Sequence, residues 1–331
     1  MLRVGILGAG GMGNVHARQY RKMPDVDLVF FDPDEARRAK FQTTWQCAPV
    51  DSEEDVLRGC DVVDVCLPTD RHLEYGLKAI SEGKAVFLEK PMAGSLDDAA
   101  QLIEAADRAG VPMMPGQVVR FFPEYREGRR MVVEGAVGRP AAARTRRGGL
   151  APMGGAENWF MDHSRSGGVL LDLAVHDFDW LRWTLGEVDS LYARSLGATT
   201  GKGPDYGLTT MSFESGAVAH VESTWMDPSG SRTTFEVCGS AGMIEFDSRN
   251  TPTVRTHLAP PKEGDPPRRG GNEAPLTPTD DPYYRQLKGF LDAVRSGTPP
   301  PVSGYDGFMA VSLGLAALES ARTGKVVVPA R

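Results

Sequence analysis

A glycine-rich turn between two apolar strands decides how the first part of this chain can fold. Leu2–Leu7 reads as a short buried strand, and Gly8-Ala9-Gly10-Gly11-Met12-Gly13 follows it at once. Asn14–Met23 has helical character, and Asp27–Phe31 is a second apolar strand ending in Asp32. Each glycine has a mechanical reason. Gly8 permits a tight turn out of the strand, Gly10 lets backbone approach a pyrophosphate, and Gly13 lets the helix pack closely. Phosphates would then meet free N–H groups at the positive end of the helix dipole. Asp32 stands close to the spacing of roughly 20 residues at which an acid reaches a ribose hydroxyl. A glycine turn alone is a weak signal. With this strand, helix and acid around it, the segment predicts a site for NAD or NADP, with NAD favoured because Asp32 would repel a 2′-phosphate.

Strand and helix keep alternating up to Met114, with strands at Asp61–Cys66, Ala85–Leu88 and Val111–Met114 and helices at Arg71–Glu82 and Ser95–Ala109 among them. Such alternation predicts a doubly wound parallel sheet, a Rossmann-type dinucleotide domain over residues 1–118. The character then changes. A helix at Pro123–Glu134, a strand at Pro140–Arg147 and a helix at Gly168–Leu185 precede a run of strands: Ser190–Ser195, Gly207–Phe213, Ala217–Trp225, Thr233–Cys238 and Met243–Phe246. Consecutive strands predict a second α/β domain over 119–331, with a large open, mostly antiparallel sheet whose helices cover one face. On the other face, Val218, His220, Glu222 and Thr224 are neither plainly core nor plainly solvent. That face suits pairing with a second copy, so a homodimer or homotetramer is expected. Thr251–Pro282, rich in Pro and Gly, reads as a long surface excursion, followed by helices at Tyr283–Arg295 and Asp306–Thr323 and a strand at Val326–Val328.

The net charge of -7 argues against nucleic acid as a partner. The basic run Arg144-Thr145-Arg146-Arg147 is read as a solvated strand edge, with an anion or interface contact as the alternative. Four cysteines form no C-x-x-C pair and no zinc-type cluster, so no metal is expected. They fit a reducing, cytoplasmic compartment, as does Met1-Leu2-Arg3 running directly into a strand, from which no signal peptide is expected. No apolar run approaches the roughly 20 residues of a membrane span.

Two places carry chemistry. The strand Ala85–Leu88 ends in Glu89-Lys90-Pro91, and ligands of doubly wound sheets bind beyond the carboxyl ends of strands. Lys90 there can orient a hydroxyl and favour its alkoxide; a solvent lysine is the alternative, and a cis Lys90–Pro91 bond is expected to be tolerated. In the helix GGVLLDLAVHDFDWLRWTL, Asp172, His176 and Asp179 fall at i, i+4 and i+7. Asp172 can raise the basicity of His176 and fix its tautomer, making it a general base. A buried structural Asp–His pair is the alternative. Pro68-Thr69 ends a strand and should meet the cofactor through its backbone, with His72 a turn later. Trp159 and Asp162 lie on a loop able to cover a substrate. Arg120 and Tyr125 are candidate substrate contacts, and Trp225 is a candidate sugar-stacking ring, with surface or core roles as alternatives.

Together these residues resemble the Gfo/Idh/MocA family of glucose–fructose oxidoreductase and inositol dehydrogenase. The resemblance covers the GxGxxG turn, Pro68 with His72, Glu89-Lys90-Pro91, RFFPEY from Arg120 to Tyr125, the GGVLLDLAVHDFD helix and the closing helix ending at Gly324. One departure is Leu67-Pro68-Thr69, where many members show Thr-Pro-Asn. The resemblance implies cofactor contacts from Gly8, Gly10, Gly11, Met12, Gly13, Asp32, Pro68, Thr69, His72, Glu89 and Lys90. It implies Lys90, Asp172 and His176 as the catalytic set, with substrate contacts from these and from Arg120, Trp159 and Asp162. The implied activity is NAD(P)-dependent oxidation of a secondary hydroxyl in a sugar or inositol-like polyol. Alternatives on the same fold are a glycosidase using transient oxidation by NAD and a non-catalytic nucleotide-sensing regulator.

Overall fold

In the computed structural model, which describes residues 1–152, 158–197, 205–227, 230–250, 254–258, 272–273 and 281–331, the alternation forms as expected. The elements run β1 Leu2–Leu7, α1 Gly11–Tyr20, β2 Val26–Phe31, α2 Glu35–Trp45, β3 Ala48–Pro49, α3 Glu53–Gly59, β4 Val62–Val65, α4 His72–Ser81, β5 Ala85–Leu88, α5 Leu96–Ala109 and β6 Met113–Pro115. The six strands pair parallel in the order β3-β2-β1-β4-β5-β6. Strands covered by helices on both faces are buried on both, and β4 and β5 are buried at every position. Helix starts follow capping chemistry: the side chains of Asp34, Ser52 and Ser95 accept from the amides of Arg37, Asp55 and Asp98 to open α2, α3 and α5.

The second half continues with α6 Pro123–Val133, β7 Pro140–Gly148, the short α7 His163–Ser166, a wide π turn at Val169–Leu173 and α8 Val175–Leu185. Then come β8 Val188–Leu196, β9 Tyr206–Phe213, β10 Val218–Thr224, β11 Arg232–Gly239, β12 Gly242–Asp247, β13 Val254–Leu258, β14 Asn272–Glu273, α9 Pro282–Ser296 and α10 Gly304–Thr323. Eight strands form one sheet in the order β14-β13-β12-β11-β7-β10-β9-β8, antiparallel except for the β7–β10 pair. Its inner face holds Ala143, Met211, Ala219, Val221, Phe235, Val237 and Ile244, packed with Tyr125, Phe178, Trp180 and Leu181 of the helices. The Trp180 indole donates to the Tyr125 carbonyl at 2.9 Å, so this large ring is buried without losing its polar bond.

The chain divides into two compact units, Met1–Val118 with Asp281–Val311, and Val119–Asp280 with Ser312–Arg331. The break near 118 is where the composition changes. The expectation that all of 119–331 forms the second domain is corrected, because α9 and the start of α10 pack with the first unit. Phe290 meets Phe87 at 5.7 Å, and Gln19 donates to Asp281 at 2.9 Å. Amphipathicity shows that a helix has a buried face but not which sheet receives it.

Four further expectations are corrected. The single helix over Gly168–Leu185 is a π turn followed by α8, with Gly167 and Gly168 at positive φ before it. The Thr251–Pro282 excursion contributes β13 and β14 to the sheet; its other residues up to 280 lie outside the described ones. The Arg144–Arg147 run lies in β7, in the interior of the sheet, where acids neutralise it: Arg144 pairs with Glu236 of β11 at 3.0 Å and Arg147 with Asp177 of α8 at 2.6 Å. Val326–Val328 makes a single bridge, Leu191 to Val327. Among the described residues no helix is long and apolar enough to cross a membrane.

Candidate active site

The nucleotide half is built where β1 meets α1. Gly8 has φ +101°, and a Cβ there would stand 2.6 Å from the Cys66 carbonyl oxygen; at Gly13 it would stand 2.0 Å from the Gly8 oxygen. Both positions therefore require glycine. Gly10 and Gly11 differ, since a Cβ on either would meet nothing within 4 Å. Bare backbone there faces open space at the start of a helix that no side chain caps, which is what a pyrophosphate needs. Met12 follows, half-buried, in the first turn of α1.

Asp32, 3% exposed, closes this half. Its carboxylate accepts from the Ala9 amide at 2.8 Å and the Asp34 amide at 2.9 Å. A carboxylate has about four acceptor positions, so capacity remains for two ribose hydroxyls. Arg38 donates to the Asp32 carbonyl at 2.6 Å and fixes the turn. The residues present fit NAD.

At the ends of β4 and β5 the expected residues divide. Pro68 opens a short turn at Thr69–Arg71, and the Thr69 hydroxyl is buried without a partner among the described residues. Lys90 is half-buried, and the Lys90–Pro91 peptide is cis. His72 and Glu89 are both buried, and their polar atoms face protein groups. His72 points one ring nitrogen at the Pro91 carbonyl at 3.0 Å and the other at the Leu67 carbonyl at 2.9 Å, tying the two loops. Burial pulls its pKa below the ordinary histidine value. Glu89 accepts from the Lys90 amide at 3.1 Å and lies 3.1 Å from His16.

In the second unit, α8 is buried at every position except His176 and Trp183. Asp172, 5% exposed, sits in the π turn just before it. π turns are concentrated at functional sites. The third acid of the stripe goes elsewhere: Asp179 forms a bidentate pair with Arg120, at 2.8 and 2.6 Å. Arg120 also stacks on Trp183 at 5.1 Å and is buried, so its guanidinium is braced by the fold. Asp177 is buried against Arg147; burial pushes its pKa up against the pull of that arginine. Tyr125 and Trp225 belong to the core. Trp159 is half-buried and stacks on Phe160 at 4.0 Å. Asp162 is exposed and caps α7, where the Ser164 hydroxyl holds its pKa below the usual carboxylate value.

Sequence reasoning missed two sets of residues. Asn14 donates to the carbonyls of Ala9 and Gly10 and accepts from the Trp45 indole at 2.8 Å, bracing the glycine turn. The other set is His16 with Asp64, whose signal was an acid inside the apolar strand Val62–Val65.

Known proteins share this fold. Residues 2–117 match the oxidoreductase family with an NAD-binding Rossmann fold, and residues 125–245 match the GFO/IDH/MocA C-terminal domain. The chain is 32% identical to the myo-inositol 2-dehydrogenase of Thermotoga maritima over 96% of both chains. It is 30% identical to the scyllo-inositol 2-dehydrogenase (NAD(+)) of Bacillus subtilis, over 98% of this chain and 96% of that one. Among solved structures, GenD2 of gentamicin A biosynthesis, in complex with NAD, superposes with TM-score 0.86 at 25% identity, over 100% of this chain and 97% of that one. The chain belongs to the Gfo/Idh/MocA family of NAD-binding oxidoreductases.

Proposed function

We propose that this protein oxidises a secondary hydroxyl of a sugar or cyclic polyol, inositol-like in class, with His176 as the general base. The observation that carries the reading is the opening of α8 at His176, a half-exposed imidazole in an otherwise buried helix, with Asp172 buried one turn before it. His176 takes the hydroxyl proton. Asp172 keeps the ring basic and oriented, and the Lys90 ammonium steadies the oxygen as charge develops on it. NAD, when bound, supplies the hydride acceptor. Gly10, Gly11 and the first turn of α1 hold its pyrophosphate, and Asp32 its adenosine ribose. Trp159, on its stacked pair with Phe160, offers a flat apolar surface of the kind a sugar ring packs on. A panel of inositols, other polyols and aldoses, followed by nicotinamide absorbance with NAD and NADP, tests the reading; no turnover with any of them overturns it.

The same panel reads cofactor preference. The Asp32 carboxylate favours two ribose hydroxyls and repels a 2′-phosphate, so kcat/KM with NAD should exceed that with NADP by roughly tenfold or more. Equal or better efficiency with NADP would contradict that role. The four cysteines are free thiols, which supports a cytoplasmic site of action.

The open face of the eight-stranded sheet supports a homodimer or homotetramer. Cross-strand rows place Tyr192, Thr210, His220, Arg144 and Glu236 side by side, and Arg194, Leu208, Glu222 and Arg146 beside them. Tyr192, Leu208 and Val218 are exposed there among paired charges, the mixture that interfaces use. Sedimentation at micromolar concentration should give at least twice the chain mass of 35.8 kDa. A fully active monomer refutes this.

A further inference from the structure

His16 lies in α1, three residues after the last glycine of the turn, and is completely buried. Its Nδ1 is 2.8 Å from Asp64 Oδ2 in β4, and its Nε2 is 3.1 Å from Glu89 Oε1 just beyond β5. The Cys66 sulfur also lies 3.2 Å from Nδ1. His16, Asp64 and Cys66 are all residue types that bind metals. Within this trio the Cys66 thiol donates to Asp64 Oδ1 at 3.3 Å, and Asp64 Oδ2 meets His16 Nδ1 at 2.8 Å.

With a carboxylate oxygen 2.8 Å from one ring nitrogen and 3.1 Å from the other, the charged imidazolium is the form that both acids favour. Burial opposes that charge, yet Asp64 and Cys66 outweigh it and raise the His16 pKa well above the ordinary histidine value. The Phe87 and Tyr283 rings, at 5.4 and 6.3 Å, fill the surroundings. Gly116 packs closely beside Glu89, since a Cβ there would stand 3.1 Å from its Oε1 and 3.3 Å from its Cα. Its other oxygen, Oε2, accepts the Lys90 amide at 3.1 Å.

We propose that His16 is a positioning residue: bridging Asp64 and Glu89 as an imidazolium, it fixes the carboxylate that holds the Lys90 backbone and so sets the direction of the Lys90 side chain. One helix thereby presents its amides to the pyrophosphate and also aligns the lysine two strands away. The inference rests on the role proposed for Lys90.

The test is a double-mutant cycle in the full-length protein. His16→Gln should lower kcat roughly tenfold, the scale of a modest misplacement of a reacting group, with the Kd for NAD changed less than about threefold. Lys90→Met combined with His16→Gln should be no slower than Lys90→Met alone, since His16 acts only through Lys90. A folded His16→Gln variant with unchanged kcat, or losses that multiply, overturns the positioning role while leaving Lys90 in place. Normal turnover by Lys90→Met overturns the reading of Lys90 and the inference with it. His16→Gln leaves two buried carboxylates without their cation and can fail to fold. The unmodified protein, labelled with 15N-histidine, therefore provides a second measurement. One histidine should keep both ring nitrogens protonated at pH 8; six neutral imidazoles at that pH overturn the bridge.

Discussion

His176→Ala should lower hydroxyl oxidation by roughly 100-fold or more, the usual scale for a lost general base. The affinity for NAD, measured by titration, should stay as it was, because the glycine turn and Asp32 belong to the first unit. The fold should also survive. His176 is only half-buried, so its truncation leaves no large cavity. Its neighbours on the helix behave oppositely. Asp179→Ala would remove the carboxylate from the buried Arg120, a loss of about 3–5 kcal/mol, and Asp177→Ala would do the same to the partly buried Arg147 at a smaller loss. The three variants thus separate chemistry from folding: His176→Ala should melt near the parent temperature without turning over, while the aspartate variants should melt well below it. Near-normal turnover in a folded His176→Ala protein would reduce Asp172 and His176 to a structural pair.

The nucleotide half was legible because its chemistry is local. The turn at Gly8–Gly13 and the acid at Asp32 are set by the backbone within one βαβ unit, and the structure requires glycine at Gly8 and Gly13. Other roles depend on partners distant in sequence. The Arg120–Asp179 pair, 59 residues apart, was invisible, so Arg120 looked available for substrate. Glu89 and His72 looked like cofactor contacts because they flank the right strand ends, yet their polar atoms turn inward to His16, Leu67 and Pro91. The stripe of Asp172, His176 and Asp179 assumed a regular helix. The π turn breaks that regularity, and positive φ at Gly167 and Gly168 was the only local sign of it. The same limit applied to α9: its apolar face was plain, but its assignment to the first unit was fixed by contacts such as Phe290 with Phe87.

Lys90→Met should reduce kcat/KM by roughly 100-fold, the scale for removing a donor aimed at developing negative charge, while the melting temperature changes little. The substitution is selective because two parts of the residue have separate partners. Its backbone amide is held by Glu89 at 3.1 Å, and a methionine amide is held in the same way. The methionine stem also replaces most of the apolar volume of the lysine, which is half-buried. Only the ammonium is lost. If that ammonium steadies the substrate oxygen, the loss should fall on kcat, since charge builds on the oxygen during transfer and not on binding. A change confined to KM would instead place Lys90 in substrate binding alone. A crystal structure with NAD and a bound polyol is the sharper measurement. An ammonium within hydrogen-bond reach of the reacting hydroxyl supports the role, and one turned away from the nicotinamide removes it, along with the reason for Glu89 and His16 to hold this residue so firmly.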